Sequence, residues 1–461
     1  MNTQDLAKIG IPLGAPMKAA MDLLKTSFQN GDSSETVTQL LQSIVSSPES
    51  HTNTIGAELA RLLSSKLFVP RDAPAPYRQW GDDLEEKSIQ QMLNGCNLPI
   101  AEQGALMPDA HPGYGLPIGG VLATNNAVIP YAVGVDIACR VKLSVYDISV
   151  ERLLQDQGKG SFTNSLHRET QFGIGAHFRD KRQHSVMDLN WDISPITKKF
   201  KDKAWKQLGT SGSGNHFVEF GEIELTDDSL GVAPGKYVAL MSHSGSRGTG
   251  AAVAAHYSKL AQSQHPELPK ELQHLAWLDL DLADGQEYWA AMELMGEYAA
   301  ANHACIHRHI AKDLGLEVIL DVENHHNFAW KEVHNGKEVV VHRKGATPAG
   351  EGVLGVIPGS MASPAYVVRG KGEPSSLNSA AHGAGRVMSR KKASTTLNWN
   401  DARNLLTERG VTLLSAGLDE VPFVYKDIDE VMGAQSDLVD PVARFFPRLV
   451  KMAKAGERPE D

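Results

Sequence analysis

Residues 120–147 read GVLATNNAVIPYAVGVDIACRVKLSVYD, and this stretch decides the fold class. The run 120–124 is short and apolar, as a strand is. Asn125-Asn126 makes a turn, and 127–130 reads as the returning strand. The run 140–147 is β-branched and partly alternating, which suits a pleated surface. Between these runs lies a bend carrying Asp136 and Cys139. Further out, 236–242, 318–322 and 339–342 read as strands. From 268 to 314 the pattern is helical, with Trp289, Met292, Met295 and Ala299 on one face. Residues 104–120 hold five Gly and three Pro and read as irregular backbone. No internal repeat is visible. The class is α+β: a mixed α/β core with long loops that carry the chemistry.

Upstream the texture differs. Residues 16–30 and 34–66 read as helices: in the second stretch Val37, Leu40, Leu41 and Ile44 follow i, i+3, i+4, i+7, and Ala57, Leu59, Ala60, Leu62 and Leu63 carry the next helix. Residues 69–76 (VPRDAPAP) form a Pro-rich linker. The expected organisation is a small helical N-terminal region with its linker over 1–75, a catalytic domain over 76–455, and a polar tail over 456–461.

The chain has 461 residues, 41% apolar and 22% charged, within globular usage. Net charge is −10, which argues against a broad nucleic-acid coat but allows a local basic groove. Three Cys (Cys96, Cys139, Cys305) make no disulfide framework and point to a reducing, cytoplasmic compartment. The first twenty residues lack the pattern of a secretory signal, and no run of about 18 apolar residues predicts a membrane span. There are 18 His, and only His51 precedes residue 110. Such crowding invites metal or acid–base chemistry.

Four constellations carry that chemistry. Asp136 and Cys139, three apart at a bend, can reach one metal; a turn Asp and a buried Cys are the ordinary alternative. His216 follows the Gly/Ser loop 212–215, and His243 ends a strand before SGSRG; binding groups favour loops on rigid elements. His325 and His326 follow a strand, where neighbours point to opposite faces, so at most one joins a given site. His382 precedes Gly383, Ala384, Gly385 and Arg386: glycine lets backbone approach a phosphate, and Arg can hold one bidentately. A helix entry with a packed His is the alternative there. His303 and His307 lack a completing carboxylate and read as structural; Cys96 and Cys305 read as packing residues. Taken together, the set suggests a metal centre acting on a phosphate ester or anhydride.

These motifs resemble the RtcB family of RNA-splicing and RNA-repair ligases. The matching stretches are 107–115 (MPDAHPGYG), 133–139 (VGVDIAC), 212–217 (GSGNHF), 243–248 (HSGSRG), 325–327 (HHN), 342–347 (HRKGAT), 358–361 (PGSM), 382–386 (HGAGR) and 425–427 (YKD), with the helical segment 285–302. They run in order from about residue 78 to about 452.

The resemblance implies a GTP- and Mn²⁺-dependent ligase joining RNA 2′,3′-cyclic phosphate or 3′-phosphate ends to 5′-hydroxyl ends. It implies a guanylylated His and an RNA-(3′)pp(5′)G intermediate. The matching nucleophile is His382, with Asp109 a candidate base and Arg386 placed to hold a phosphate. The implied ligands of two Mn²⁺ are Asp136, Cys139, His216, His243 and His326, with Cys139 bridging. Asn215, Glu219, Asn327, Ser360, Gly383, Ala384, Gly385 and Tyr425 fall among the implied GTP contacts. For guanine recognition the candidate is Lys451, with Lys454 the alternative, because the C-terminal end only approximates the family's Val-Lys-Gly. Pro364 and Ala365 stand where small polar residues are common in the family. These departures and the longer N-terminal region suggest an RNA-repair paralogue. Two other readings are a metal-dependent RNA phosphodiesterase or phosphatase, and a catalytically silent RNA-binding paralogue. A basic RNA surface is expected from Arg179, Lys181, Arg182, Arg343, Lys344 and Arg390. A helper protein is not legible from the sequence.

Overall fold

The strand Arg140–Tyr146 lies inside a sheet, antiparallel to Gly235–Ser244 on one side and to Val318–His325 on the other. Beyond Gly235–Ser244 follow Phe217–Leu225, Val439–Met452, Ala365–Gly370 and Leu354–Ile357, all antiparallel. Thr412–Ser415 joins Val439–Met452 in parallel. The two edges of this sheet meet. The side-chain amide of Asn324 donates to the Val356 carbonyl at 3.2 Å and accepts from its N–H at 2.8 Å, so the sheet curls almost into a barrel. Strand alternation explains its two faces. Val141, Leu143, Val145, Ala239 and Met241 point inward with Val367 and Phe445. Tyr146, Val238 and Leu240 point outward against Phe162 and Leu166 of helix Ser161–Glu169 and Ile306 and Ile310 of helix Ala283–Leu314.

The computed structural model describes residues 2–12, 15–51, 54–64, 68, 70–156 and 158–457. A second sheet runs Tyr77–Gln79, Ala101–His111, Ile118–Thr124, Lys337–Lys344, Phe328–His334. Its core includes Met107, Val121, Val341 and Ile357. The fold is α+β. Among the described residues no helix is long and apolar enough to cross a membrane.

Several local expectations change. Residues 104–111 are not irregular: the strand Ala101–His111 runs through them, and only 112–117 lack regular structure. Its register shifts between Leu106 and His111, so Pro108 sits where the ladder asks for no N–H. The strand expected over 127–130 stops at Ala127–Val128, because Pro130 opens the short helix Pro130–Val133. The pattern over 268–314 resolves into the 3₁₀ turn Lys270–Leu275, the strand Leu278–Asp279 and the helix Ala283–Leu314.

By internal contacts the chain divides into Pro70–Ala261 with His274–Asp461, which holds both sheets, and Met1–Val69 with Gln262–Gln273. In the smaller unit, Leu6, Leu24, Val37, Leu41, Ile44 and Leu59 form a separate core. Within 34–66 the two expected helices form as Ser34–Ser46 and Ala57–Ser64, separated by the 3₁₀ turn Pro48–His51. Pro48 cannot continue the first helix. Residues 65–66 of that stretch, and residues 458–461 of the polar tail, lie outside the described residues.

Candidate metal centre and nucleophile

Register places four ligand candidates at one end of four neighbouring strands. Cys139 immediately precedes Arg140–Tyr146, His216 precedes Phe217–Leu225, His326 follows Val318–His325, and His243 is the penultimate residue of Gly235–Ser244. Arg140 pairs with Ser244 and His325, and Phe217 pairs with His243. Two strand-end histidines therefore flank one thiol, and a third abuts the second. Cys139 Sγ lies 3.4 Å from His216 Nε2 and 3.2 Å from His243 Nε2. His243 Nε2 lies 3.3 Å from His326 Nε2, and Asp136 Oδ2 lies 3.2 Å from His216 Nε2. Cys139 stands in the middle of this row, as a bridging ligand would.

The bend that brings Asp136 in is built for it. Ala138 takes φ +55° and its N–H donates to the Asn327 carbonyl at 2.8 Å. Asp136 Oδ1 accepts from the Ser246 N–H at 3.0 Å. Gly245 leaves the room: a Cβ there would overlap the Asp136 carboxylate.

The donor set fits divalent metal ions. His216 Nδ1 lies 2.9 Å from the Ser211 carbonyl and His243 Nδ1 3.2 Å from the Asn215 carbonyl. A carbonyl only accepts, so His243 Nδ1 carries the proton and its Nε2 presents a lone pair, while His216 Nδ1 meets both the Ser211 carbonyl and, at 3.2 Å, the Arg247 guanidinium. His243 Nε2 faces the Cys139 thiol, and His216 Nε2 faces the same thiol and the Asp136 carboxylate. Asp136 Oδ2 is buried without a hydrogen bond. A cation satisfies all of them at once. Burial, then His216, pushes His243 down to about 3, and burial with its imidazole neighbours holds His326 well below the usual range. Both imidazoles are thus in the neutral, ligating form. Burial acts to raise Asp136, but His216 and Arg247 outweigh it and keep the carboxyl ionised.

His303 and His307 lie behind this centre as structural groups. The Ser242 hydroxyl bridges His303 Nδ1 at 2.7 Å and His307 Nε2 at 2.8 Å. His303 Nε2 reaches the Ser244 carbonyl at 3.0 Å. His325 points to the opposite side from His326 and packs on Phe328 and Trp330.

His382 follows the strand Ser379–Ala381 rather than entering a helix. Its Nδ1 lies 2.7 Å from Asp109 Oδ2, and its backbone N–H donates to the same oxygen at 3.2 Å. Asp109 is fully buried, so the imidazole is held from behind with Nε2 turned away from the carboxylate. The ring packs against His326, with centroids 4.7 Å apart. Gly385 permits this arrangement: its φ is +75°, and a Cβ would overlap the Asp109 carbonyl.

One cavity collects the candidate metal ligands, His382, and the candidates Asn215, Glu219, Asn327, Ser360, Gly383, Ala384, Gly385, Arg386 and Tyr425. Burial pushes the Glu219 carboxyl up to about 8, and no hydrogen bond reaches it among the described residues. Asn327 is partly committed, accepting from the Gly345 N–H at 2.8 Å. The Arg386 guanidinium is held by Glu420 at 3.3 Å and by the Asp419 and Met388 carbonyls at 2.8 and 3.2 Å. It braces the wall, and a bidentate phosphate clamp would require it to release those partners. His111 also lines the cavity, pushed down to about 4 by burial.

The structure does not bring Lys451 to this cavity. In Val439–Met452 its neighbours Val450 and Met452 face the cavity. Lys451 points the other way, and Nζ donates to the Leu166 carbonyl and the Thr170 hydroxyl, both at 2.9 Å. The alternative, Lys454, is exposed. The expected basic surface also fails in part. Arg343 is buried and held bidentately by Glu332 at 2.6 and 3.1 Å; Arg182 is buried against Glu169; Lys344 is buried with Nζ on the Tyr114 carbonyl; Arg390 pairs with Asp419 and Glu420. Of the six, Arg179 is exposed and Lys181 half-buried over Trp205. Sequence reasoning missed Glu420, which ties Arg386, Arg390 and Tyr425 together at the cavity wall, and no motif signals it. It also missed the apolar wall of Phe217, Met361 and Met452.

The family profile described as tRNA-splicing ligase RtcB matches residues 91–191 and 182–453. Over 413 residues the chain is 34% identical to the RNA-splicing ligase RtcB of Escherichia coli K12, covering 82% of this chain and 97% of that protein. It is 32% identical over 442 residues to the tRNA-splicing ligase RtcB of Nanoarchaeum equitans, covering 79% and 91%. It is 33% identical over 428 residues to the RNA-splicing ligase RtcB of Mycobacterium tuberculosis, covering 77% and 98%.

Proposed function

The chain belongs to the RtcB family, and from that premise we propose that it is an RNA ligase joining 2′,3′-cyclic phosphate or 3′-phosphate ends to 5′-hydroxyl ends with GTP. One observation carries the reading: His382, held through Nδ1 by Asp109, stands in the same cavity as the Asp136–Cys139–His216–His243–His326 row. A metal-dependent phosphodiesterase would need the metal ligands but no imidazole nucleophile.

His382 Nε2 attacks the α-phosphorus of GTP; a P–N bond forms and the P–O bond to pyrophosphate breaks. The Asp109 carboxylate stabilises the positive charge that develops on the ring. An oxygen of the RNA 3′-phosphate then displaces the imidazole, giving RNA-(3′)pp(5′)G. The 5′-hydroxyl attacks the 3′-phosphorus, and GMP leaves. A cyclic phosphate is first opened by water to the 3′-phosphate. Two Mn²⁺, held by Asp136, Cys139, His216, His243 and His326, would neutralise charge on the phosphate oxygens and leaving groups. Phe217, Met361 and Met452 offer the purine an apolar wall, with Glu219 and Ser360 as polar contacts. Asn215, Asn327 and the backbone of Gly383, Ala384 and Gly385 lie where GMP phosphates would sit. Three free cysteines, one of them a ligand, fit a reducing, cytoplasmic setting. The departures from the family motifs favour a repair substrate over a housekeeping tRNA.

The test uses α-labelled GTP and Mn²⁺. Acid-labile, base-stable label on the wild type, absent from His382→Ala, is expected. An unlabelled wild type, or undiminished label on the variant, excludes the nucleophile.

A further inference from the structure

The loop between Ala101–His111 and Ile118–Thr124 leaves the cavity wall at His111 and returns to it at Ile118, and these two residues pair across the strands. At its tip Tyr114 is 69% exposed. An exposed ring on a slack loop would be unremarkable, but this one is fixed from below. The Gln91 amide donates to the Gly113 carbonyl at 2.6 Å and accepts from its N–H at 3.0 Å. Lys344 Nζ donates to the Tyr114 carbonyl. Gly115, at φ +70°, presses against the His274 backbone, where a Cβ would lie 3.0 Å from the carbonyl oxygen.

The ring's own contacts leave room for a ligand. Tyr114 meets Tyr131 at 6.4 Å and 69°, and His274 at 5.9 Å and 72°. Both are edge-to-face, so no ring stacks parallel on Tyr114 among the described residues. The tip is three residues from His111, a span of about 10 Å at full extension. Lys344, under the tip, is the direct neighbour of Gly345 in the cavity wall. A rigid aromatic with an open face, one short loop from the reacting centre, suits a planar ligand continuous with the molecule in the cavity.

We propose that Tyr114 is a stacking platform for an unpaired nucleobase of the RNA being joined, within a few nucleotides of the reacting end. This rests on the RNA-ligase reading above. The stack would tolerate any base, since every base offers a π-face. The platform orders the strand next to the end while the cavity holds the terminal phosphate.

Binding is read without GTP, so no joining occurs. Short single-stranded RNAs with a 3′-phosphate or a 5′-hydroxyl end, carrying an abasic site at each of the first three positions in turn, are titrated by fluorescence anisotropy. Against intact RNA, Tyr114→Phe binds as wild type does, while Tyr114→Ala and Tyr114→Leu bind roughly tenfold more weakly. One abasic position abolishes that difference, because the stack is already lost. Unchanged binding by Tyr114→Ala overturns the platform, as does full binding by Tyr114→Leu, which would mean generic apolar contact such as a protein partner's. A tenfold loss that persists at every abasic position also overturns it. Joining by the wild type with GTP and Mn²⁺ is scored separately. If the wild type joins these ends while Tyr114→Ala binds normally, the platform fails alone. If the wild type neither binds nor joins them, the ligase reading fails and the platform with it.

Discussion

At the scale of single residues, the site depends on which nitrogen of each imidazole faces the cavity. The Asn215 carbonyl and the Asp109 carboxylate each hold an Nδ1 and free the Nε2 opposite. Asp109→Asn weakens that control, because an amide can also donate to Nδ1 and present the wrong tautomer. We expect self-guanylylation to slow by roughly a hundredfold with metal content unchanged; rapid-quench labelling and elemental analysis read the two separately. Cys139→Ser removes the group shared between His216 and His243. It should lose both label and bound Mn²⁺, and unchanged stoichiometry would exclude the bridging role. The identities of these residues were legible in the sequence because each lies in a short motif. The commitment of Arg386 to Glu420 and the turning away of Lys451 were not, since both depend on partners distant in sequence or on strand parity.

At the scale of elements, function sits where strands end and loops begin. The 104–111 strand was obscured by Gly104 and Pro108, which weaken any local strand signal; pairing with Leu122 overrides Gly104, and Pro108 falls in the gap of the same ladder. That strand carries Asp109 and leads to Tyr114, so the misread segment is the functional one. The helix Ala283–Leu314 contributes from behind. His303 and His307 clamp Ser242, whose neighbour His243 is a ligand candidate. Ser242→Ala leaves two buried imidazole nitrogens without a partner. It should cost about 1–3 kcal/mol of unfolding free energy, measured by urea titration of the chelated protein. A variant as stable as wild type would show that the clamp contributes nothing.

At the scale of the whole molecule, the 18 His become a statement about pH. His303 and His307 are held by burial well below the ordinary value of 6.5, His325 near 3 and His342 near 4. His342 is satisfied as the neutral form, with Nδ1 on the Leu122 carbonyl at 3.1 Å and Nε2 accepting from the Ile129 N–H at 2.9 Å. None of these is a ligand candidate. Their folded values are depressed, so below pH 6.5 the unfolded chain binds protons the folded chain refuses. Stability is present above that pH and is lost as pH falls toward 4, with a slope of about 1.4 kcal/mol per pH unit for each such His. Urea unfolding of chelated protein between pH 7 and 4.5 reads that slope, and His342→Gln should reduce it. A flat profile would exclude this account.

The sequence alone determined the fold class and the family resemblance, and it supplied the candidates for a ligand row and a nucleophile, because those signals are local: hydrophobic period, turn chemistry and short motifs. Only the tertiary structure decided which candidates share a cavity. Register across four strands gathers Cys139, His216, His243 and His326. Strand parity sends Lys451 away from them. Burial takes Arg182, Arg343 and Lys344 out of any basic surface. The physical reason is common to all three. A side chain's direction and its exposure are set by the partner its strand or loop packs against, and that partner lies far away along the chain.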